Sequence, residues 1–286
     1  MQDTKTVLRI FSYLPNPRVW KATIAAQLCN VQVETLGAKP AELSNWLWDF
    51  DAKPMNDTDR ANNTQFARQG RRGFSSTLYK TDDFLRTQPF ATVPCAFSPD
   101  GEVGIFESNS ILRAVARSAP ESGLYGHDGY SASRIDSFLD ANLVFAREAQ
   151  EYLLALQSDT INKQTYTRMR DAYEFYLTGI NNALGNSPYL ADNSLSLADI
   201  AFLCDFTQFQ RELYFTPKLR AQGLEPISAA LAQDLHPEFA AQPNPDFPRV
   251  PDYIETMLSL TEIGTDLVPY IEDLKSRLKK VFASQN

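Results

Sequence analysis

The chain has 286 residues, long enough for two ordinary domains, and its 43% hydrophobic and 22% charged composition buries a core and excludes a disordered polymer. With a formal net charge of −8 and no basic stripe, it lacks the cation density that phosphate neutralisation needs, so nucleic acid is not an expected partner. No run reaches the roughly 18 apolar residues of a membrane span, which leads to the expectation of a cytoplasmic protein with no membrane partner.

In chain order, Val7 to Tyr13 reads as a strand and Leu14-Pro15-Asn16-Pro17 as a turn. Arg18 to Cys29 reads as a helix with Trp20, Ile24 and Leu28 on one face, and Val31 to Thr35 as a second strand. A strand, crossover helix and strand are the parts of a parallel pair, so an α/β domain begins here. Residues 38–80 break the pattern: they are rich in Asn, Asp, Pro and Arg around the aromatic cluster Trp46-Leu47-Trp48-Asp49-Phe50. That length exceeds an ordinary connection and marks an insertion, expected to be partly helical. Its aromatic residues are expected to cover a pocket or to dock a partner chain.

Strand character returns at Val93 to Phe97 and Val103 to Phe106, joined as an antiparallel hairpin by the tight-turn sequence Ser98-Pro99-Asp100-Gly101-Glu102. Glu107-Ser108 opens a helix with Ile111, Leu112, Val115 and Ala116 on one face and Ser108 as its expected N-cap. Pro120 and residues 123–129 supply a linker. Beyond it, Ile135, Phe138, Leu139, Asn142, Leu143 and Ala146 repeat at helical spacing, as do Tyr166, Met169, Tyr173, Leu177, Ile180 and Leu184, predicting two long antiparallel helices. Ser196-Leu197-Ala198-Asp199 starts a third helix with a variant capping box. A Pro-rich stretch, Pro237 to Pro251, precedes a last charged helix around Glu262 to Phe282.

The expected organisation is therefore α/β plus all-α, with domains at 1–120, carrying the insertion at about 38–80, and at 124–286. Cys29, Cys95 and Cys204 lie far apart in apolar surroundings and read as reduced, buried thiols. With only His127 and His236 in the chain, no metal site is expected.

This element order, with Val93-Pro94, Glu107-Ser108 and Ser196-Leu197-Ala198-Asp199, resembles the glutathione S-transferase superfamily. The stretches Trp20-Lys21-Ala22-Thr23-Ile24-Ala25-Ala26-Gln27 and Phe106-Glu107-Ser108-Asn109 look most like the transferase-like domain of the gamma subunit of translation elongation factor one. Bacterial transferases of the β-aryl-ether-cleaving type are a second group of similar proteins. The resemblance implies an N-terminal thioredoxin-like domain that binds glutathione as co-substrate, followed by a C-terminal helical bundle. It also implies a dimer, with an identical or a related chain. The insertion is a departure from the superfamily pattern.

Two functions follow from the resemblance. One is a transferase that directs the glutathione thiolate at a hydrophobic, aromatic electrophile, with β-aryl ether cleavage as one outcome. The other is a non-catalytic assembly module. For the first, the resemblance implies a cis Val93-Pro94 bond that turns the Val93 backbone toward the cysteinyl unit of glutathione. It also implies that Glu107 and Ser108 take the α-amino and α-carboxylate groups, a set consistent with an acid and a hydroxyl at a helix start.

A thiol with a pKa of about 8.5 is only a few per cent ionised near neutrality, and lowering it by about two units needs roughly 2.7 kcal/mol of thiolate stabilisation. One charge-assisted hydrogen bond of about 1.5 to 3 kcal/mol suffices. The resemblance places that donor at the end of the first strand or in the following turn, where Tyr13 and Asn16 compete and Arg18 assists electrostatically. No cysteine lies between Leu14 and Arg18, which disfavours chemistry by the protein's own sulfur, and Cys95 reads as a buried strand residue. Phe138, Phe145, Tyr152, Phe206, Phe209 and Tyr214 line either a second-substrate pocket or the core.

Overall fold

The structure, a computed structural model, describes residues 6–71, 73–240 and 246–283. The chain divides into two units, Met1–Leu124 and Tyr125–Asn286.

In the first unit β1 (Thr6–Tyr13) leads through the Pro-containing turn into α1 (Pro17–Leu28) and back to β2 (Gln32–Ala38), which runs parallel to β1. Pro17 occupies the first helical turn, where its missing N–H costs nothing. Gly37 is obligatory: its φ is +151° and a Cβ there would come within 1.8 Å of the Ser12 carbonyl oxygen, so only glycine lets β2 close against the end of β1. The buried side of α1 is made by Val19, Ala22, Ile24, Ala25 and Ala26 together with Lys21. This corrects the expected Trp20, Ile24, Leu28 face, of which Ile24 alone is fully buried. Small alanines let the helix lie close to its neighbours, which rotates the bulky Trp20 and Leu28 to its margin.

The insertion is a second sheet. Its strands are β3 (Trp46–Trp48), β4 (Lys53–Pro54), β5 (Ala67–Gln69) and β6 (Thr77–Lys80), in the order β4-β3-β6-β5. Two short helices accompany it, α2 (Asp57–Asn62) between β4 and β5 and α3 (Asp82–Thr87) after β6. The chain then returns to the first sheet with β7 (Cys95–Phe97), β8 (Gly104–Phe106) and α4 (Ser108–Arg117), completing the order β2-β1-β7-β8.

Strand alternation explains where the insertion packs. Ile10 pairs with Ala96 and Phe11 with Cys95, so neighbouring pairs point to opposite faces of the sheet. Phe11, Cys95 and Phe97 belong to one cluster with Leu43, Trp48, Leu78 and Phe84 of the insertion and α3. Trp48 meets Phe11 at 5.3 Å and Phe84 at 5.8 Å between ring centroids, and Phe50 meets Phe97 at 5.7 Å, all edge-on. The Trp48 indole N–H donates to the Leu43 carbonyl at 3.1 Å, which satisfies its one polar atom. The expectation that Trp46, Trp48 and Phe50 dock a partner or cover a pocket is thereby corrected: Trp48 is fully buried, and Trp46 and Phe50 pack against the same core. An apolar sheet face must be covered, and these residues cover it.

The second unit is helical throughout its described elements: α5 (Gly129–Gln157), α6 (Lys163–Ala183), α7 (Leu197–Phe209), α8 (Thr216–Arg220), α9 (Val250–Leu258) and α10 (Thr261–Ala283). α5 and α6 are antiparallel, with Asn142 bonded to Tyr176 at one level and Arg168 paired with Glu148 at another. Every residue of α7 is buried, and the predicted capping box is present, Asp199 accepting from the Ser196 N–H at 2.8 Å. The same carboxylate accepts from the Leu190 N–H at 2.9 Å and the Tyr253 hydroxyl at 2.6 Å, tying three segments together. Of the Pro-rich stretch, residues 241–245 lie outside the described residues; α9 takes over at Val250. Among the described residues, no helix is long and apolar enough to cross a membrane, and no group of three or more His, Cys, Asp or Glu is placed to hold a metal ion.

Candidate functional site

Sheet register brings the candidate residues of the first unit to one end of β1. Phe11 lies opposite Cys95 and Cys95 opposite Phe106, in two antiparallel pairings. Tyr13 is two residues beyond Phe11, Val93-Pro94 immediately precedes Cys95, and Glu107 immediately follows Phe106. All three therefore emerge at the same end of the sheet, where α1 begins.

The Leu14–Pro15 peptide at this end is cis, as is Val93–Pro94. Asn16 is wholly buried and caps α1: its side-chain oxygen accepts from the Arg18 N–H at 3.0 Å, and its amide donates to the Ser12 hydroxyl at 3.1 Å. Tyr13 and Arg18 are half-buried, with the Tyr13 ring against the aromatic core of the insertion. The three residues share one turn, but Tyr13 and Arg18 are the two whose side chains reach solvent.

At the α4 corner, Glu107 stands at the N-cap with φ 66° and makes no side-chain capping bond, and its side chain is exposed. Ser108 is the first residue of α4, which corrects its expected place as the cap. The left-handed backbone at Glu107 is disfavoured for a residue with a Cβ; here it turns an acid outward at the start of a helix. Sequence reasoning missed Lys21. It is wholly buried, and its ammonium donates to Ser108 Oγ at 3.2 Å and Asn109 Oδ1 at 2.7 Å. The available signal was its place four residues before Ala25 on the buried side of α1.

The thiols of this unit are inert by position. Burial pushes both Cys29 and Cys95 up from the ordinary thiol range, so neither supplies a thiolate near neutrality. Cys95 occupies the core of β7, as its sequence context implied. Lys80, lowered by desolvation, lies over the Trp48 ring at 4.5 Å and donates to the Ala91 carbonyl at 2.8 Å, closing the insertion onto the segment before Val93.

In the helical unit, Phe145, Tyr152, Phe206 and Phe209 are core residues. They are removed as lining of a second-substrate pocket, because the fully buried α7 needs aromatic neighbours on every side. Tyr214 packs against a second core cluster formed with α10. Phe138 instead lines a groove of about 660 Å³ between α5 and α6, with Arg134, Asp171 and Glu174 also in its lining. Phe175 in this groove is 78% exposed.

No family model matches the chain. Over 128 residues it is 31% identical to elongation factor 1-gamma 1 of Oryza sativa subsp. japonica, a match covering 44% of this chain and 30% of that protein. Elongation factor 1-gamma of Prunus avium is 28% identical over 141 residues, again 44% of this chain and 30% of that protein. The match thus spans less than a third of these relatives' length. Among solved structures, an epsilon-class glutathione S-transferase from the housefly Musca domestica superposes with a TM-score of 0.59 at 14% identity, covering 96% of this chain and 98% of that one. A glutathione S-transferase of Methylobacillus flagellatus with glutathione bound gives 0.58 at 13% identity, covering 91% and 98%. A thioredoxin-like sheet unit followed by a helical unit, superposable over nearly its whole length on these enzymes, gives this chain the glutathione S-transferase fold.

Proposed function

We propose that the protein binds glutathione at the corner formed by Val93, Pro94, Glu107 and Ser108 and uses its thiolate as a nucleophile. The observation that carries this reading is the Glu107 carboxylate, turned outward by a positive φ at the start of α4 and left without a capping bond. A free α-amino acid end-group needs one acid for its ammonium, and a hydroxyl with helix N–H groups for its carboxylate. The cysteinyl backbone then runs along Val93, which brings the thiol to the end of β1.

Under this reading Tyr13 is the donor that stabilises the thiolate, and Arg18 adds positive potential from the same turn. Asn16, the competing candidate, is assigned the supporting role of holding the turn, because its amide is buried and bonded to Ser12. The thiolate attacks an electrophilic carbon of a hydrophobic substrate; in β-aryl ether cleavage a phenolate leaves. The aromatic character of that substrate rests on the sequence resemblance alone, since four of the six aromatic candidates are core.

Self-association belongs to the proposal. The α5–α6 groove is lined by the half-buried Phe138 and the exposed Phe175, an apolar surface suited to a two-fold interface with an identical or related chain. Three free, buried cysteines suit a reducing compartment, and the reading places the protein in the cytoplasm.

A non-catalytic assembly module is the second reading. It is favoured by the burial of Asn16 and by relatives named as elongation factor subunits. Calorimetric titration with glutathione, followed by ultraviolet absorbance of the bound thiolate across pH, separates the readings. Binding with ionisation near neutrality supports the transferase. Binding without ionisation below about pH 8 supports the module.

A further inference from the structure

Lys21 is the one lysine among the wholly buried side chains of the described residues, and it sits behind the proposed binding corner. Desolvating an ammonium costs several kcal/mol unless hydrogen bonds replace the lost water, so a lysine is rarely placed there for packing alone. Hydrogen bonds from its ammonium reach Ser108 Oγ and Asn109 Oδ1, on the first two residues of α4.

The chemistry of the two groups fixes a direction. An ammonium has three donors and no acceptor, whereas a serine hydroxyl has one donor and two acceptor positions. Ser108 therefore accepts from Lys21 and its own hydrogen points away from it. Polarised by the cation, the hydroxyl becomes a donor toward whatever docks at the corner. One residue earlier, the Glu107 carboxylate offers acceptors. The corner thus presents a donor and an acceptor side by side.

We propose that Lys21 is a positioning residue that sets the polarity of this corner: acting through Ser108, it directs a ligand's carboxylate to the hydroxyl and the ligand's ammonium to Glu107. This rests on the glutathione reading above and explains how the α-amino acid end of the peptide is oriented. It makes the α-carboxylate, rather than the rest of the peptide, the group that Lys21 serves.

The test compares calorimetric affinities of glutathione and of γ-aminobutyryl-cysteinylglycine, which lacks the α-carboxylate, for the parent protein and Lys21→Met. The parent should prefer glutathione by about tenfold or more, the equivalent of one charge-assisted hydrogen bond. Lys21→Met should lose most of that preference while keeping its affinity for the analogue. An unchanged preference in the variant overturns the inference. If Lys21→Met does not fold, the Lys21 ammonium nitrogen resonance of the parent serves instead: it should shift with glutathione and not with the analogue. Equal shifts with both peptides, or none with either while glutathione binds, overturn the inference. A parent that binds neither peptide overturns the glutathione reading itself, a distinguishable result.

Discussion

The buried Asn16 amide donates to the buried Ser12 hydroxyl at 3.1 Å, locking the end of β1 to the first turn of α1. Asn16→Ala removes this bond and the α1 cap together, and should cost about 1 to 3 kcal/mol of stability, read by urea unfolding. The pKa of bound glutathione should change little in that variant. Tyr13→Phe should instead raise that pKa by about one to two units and slow turnover near neutrality, with the loss shrinking as pH rises. If the two variants exchange these signatures in a pH titration of thiolate absorbance, Asn16 is the activating donor.

A buried carboxylate gives the helical unit a pH dependence. Glu212 accepts from the Tyr152 hydroxyl at 3.0 Å, and burial pushes its pKa up to about 7 from an ordinary 4.5 despite the opposing hydrogen bonds. A raised folded-state pKa means that the folded protein holds the proton more tightly. The associated stability is complete below about pH 4.5 and is lost as pH rises through about 7. The loss is on the order of 3 kcal/mol. Denaturant melts across this window should show stability falling with pH in the parent and a much flatter profile in Glu212→Gln. A profile equally steep in both would assign the dependence to other groups.

Asp199 accepts from Ser196, Leu190 and Tyr253, so its removal leaves several buried donors unpaired at once. Asp199→Ala should cost about 3 to 5 kcal/mol, enough to lower the melting temperature sharply. A loss below about 1 kcal/mol would mean that water or rearrangement replaces the network.

The groove between α5 and α6 offers the test of pairing. Phe175→Asp puts a charge where an apolar contact is expected and should convert a dimer of the 32.2 kDa chain to monomer by light scattering, with the far-ultraviolet spectrum unchanged. A variant as dimeric as the parent would place the interface elsewhere, and a monomeric parent would remove the pairing proposal.

Local patterns were the legible part of the sequence. The Ser196–Asp199 capping box, the α5 and α6 helices and the 93–106 hairpin are short-range and each forms, although Leu143 of the expected α5 face is 43% exposed and the hairpin strands begin only at Cys95 and Gly104. The insertion was legible as such but its sheet was not, because β3 and β4 are only three and two residues long and no alternation develops over such lengths. Trp48 looked like surplus aromatic area only while the uncovered face of the first sheet was unknown. At the site, the residue types of Glu107 and Ser108 were visible, but the positive φ and the buried Lys21 beneath them are products of long-range packing: Lys21 and Ser108 are 87 positions apart in the sequence.

Calorimetric titration of glutathione into the parent protein and Glu107→Ala tests the central claim most directly. The expected result is saturable binding to the parent and an affinity loss of about 1.5 to 3 kcal/mol in the variant, roughly tenfold to more than a hundredfold, with the fold retained. Equal affinity in the two proteins, or no binding to the parent, would contradict the assignment of this corner as a glutathione site.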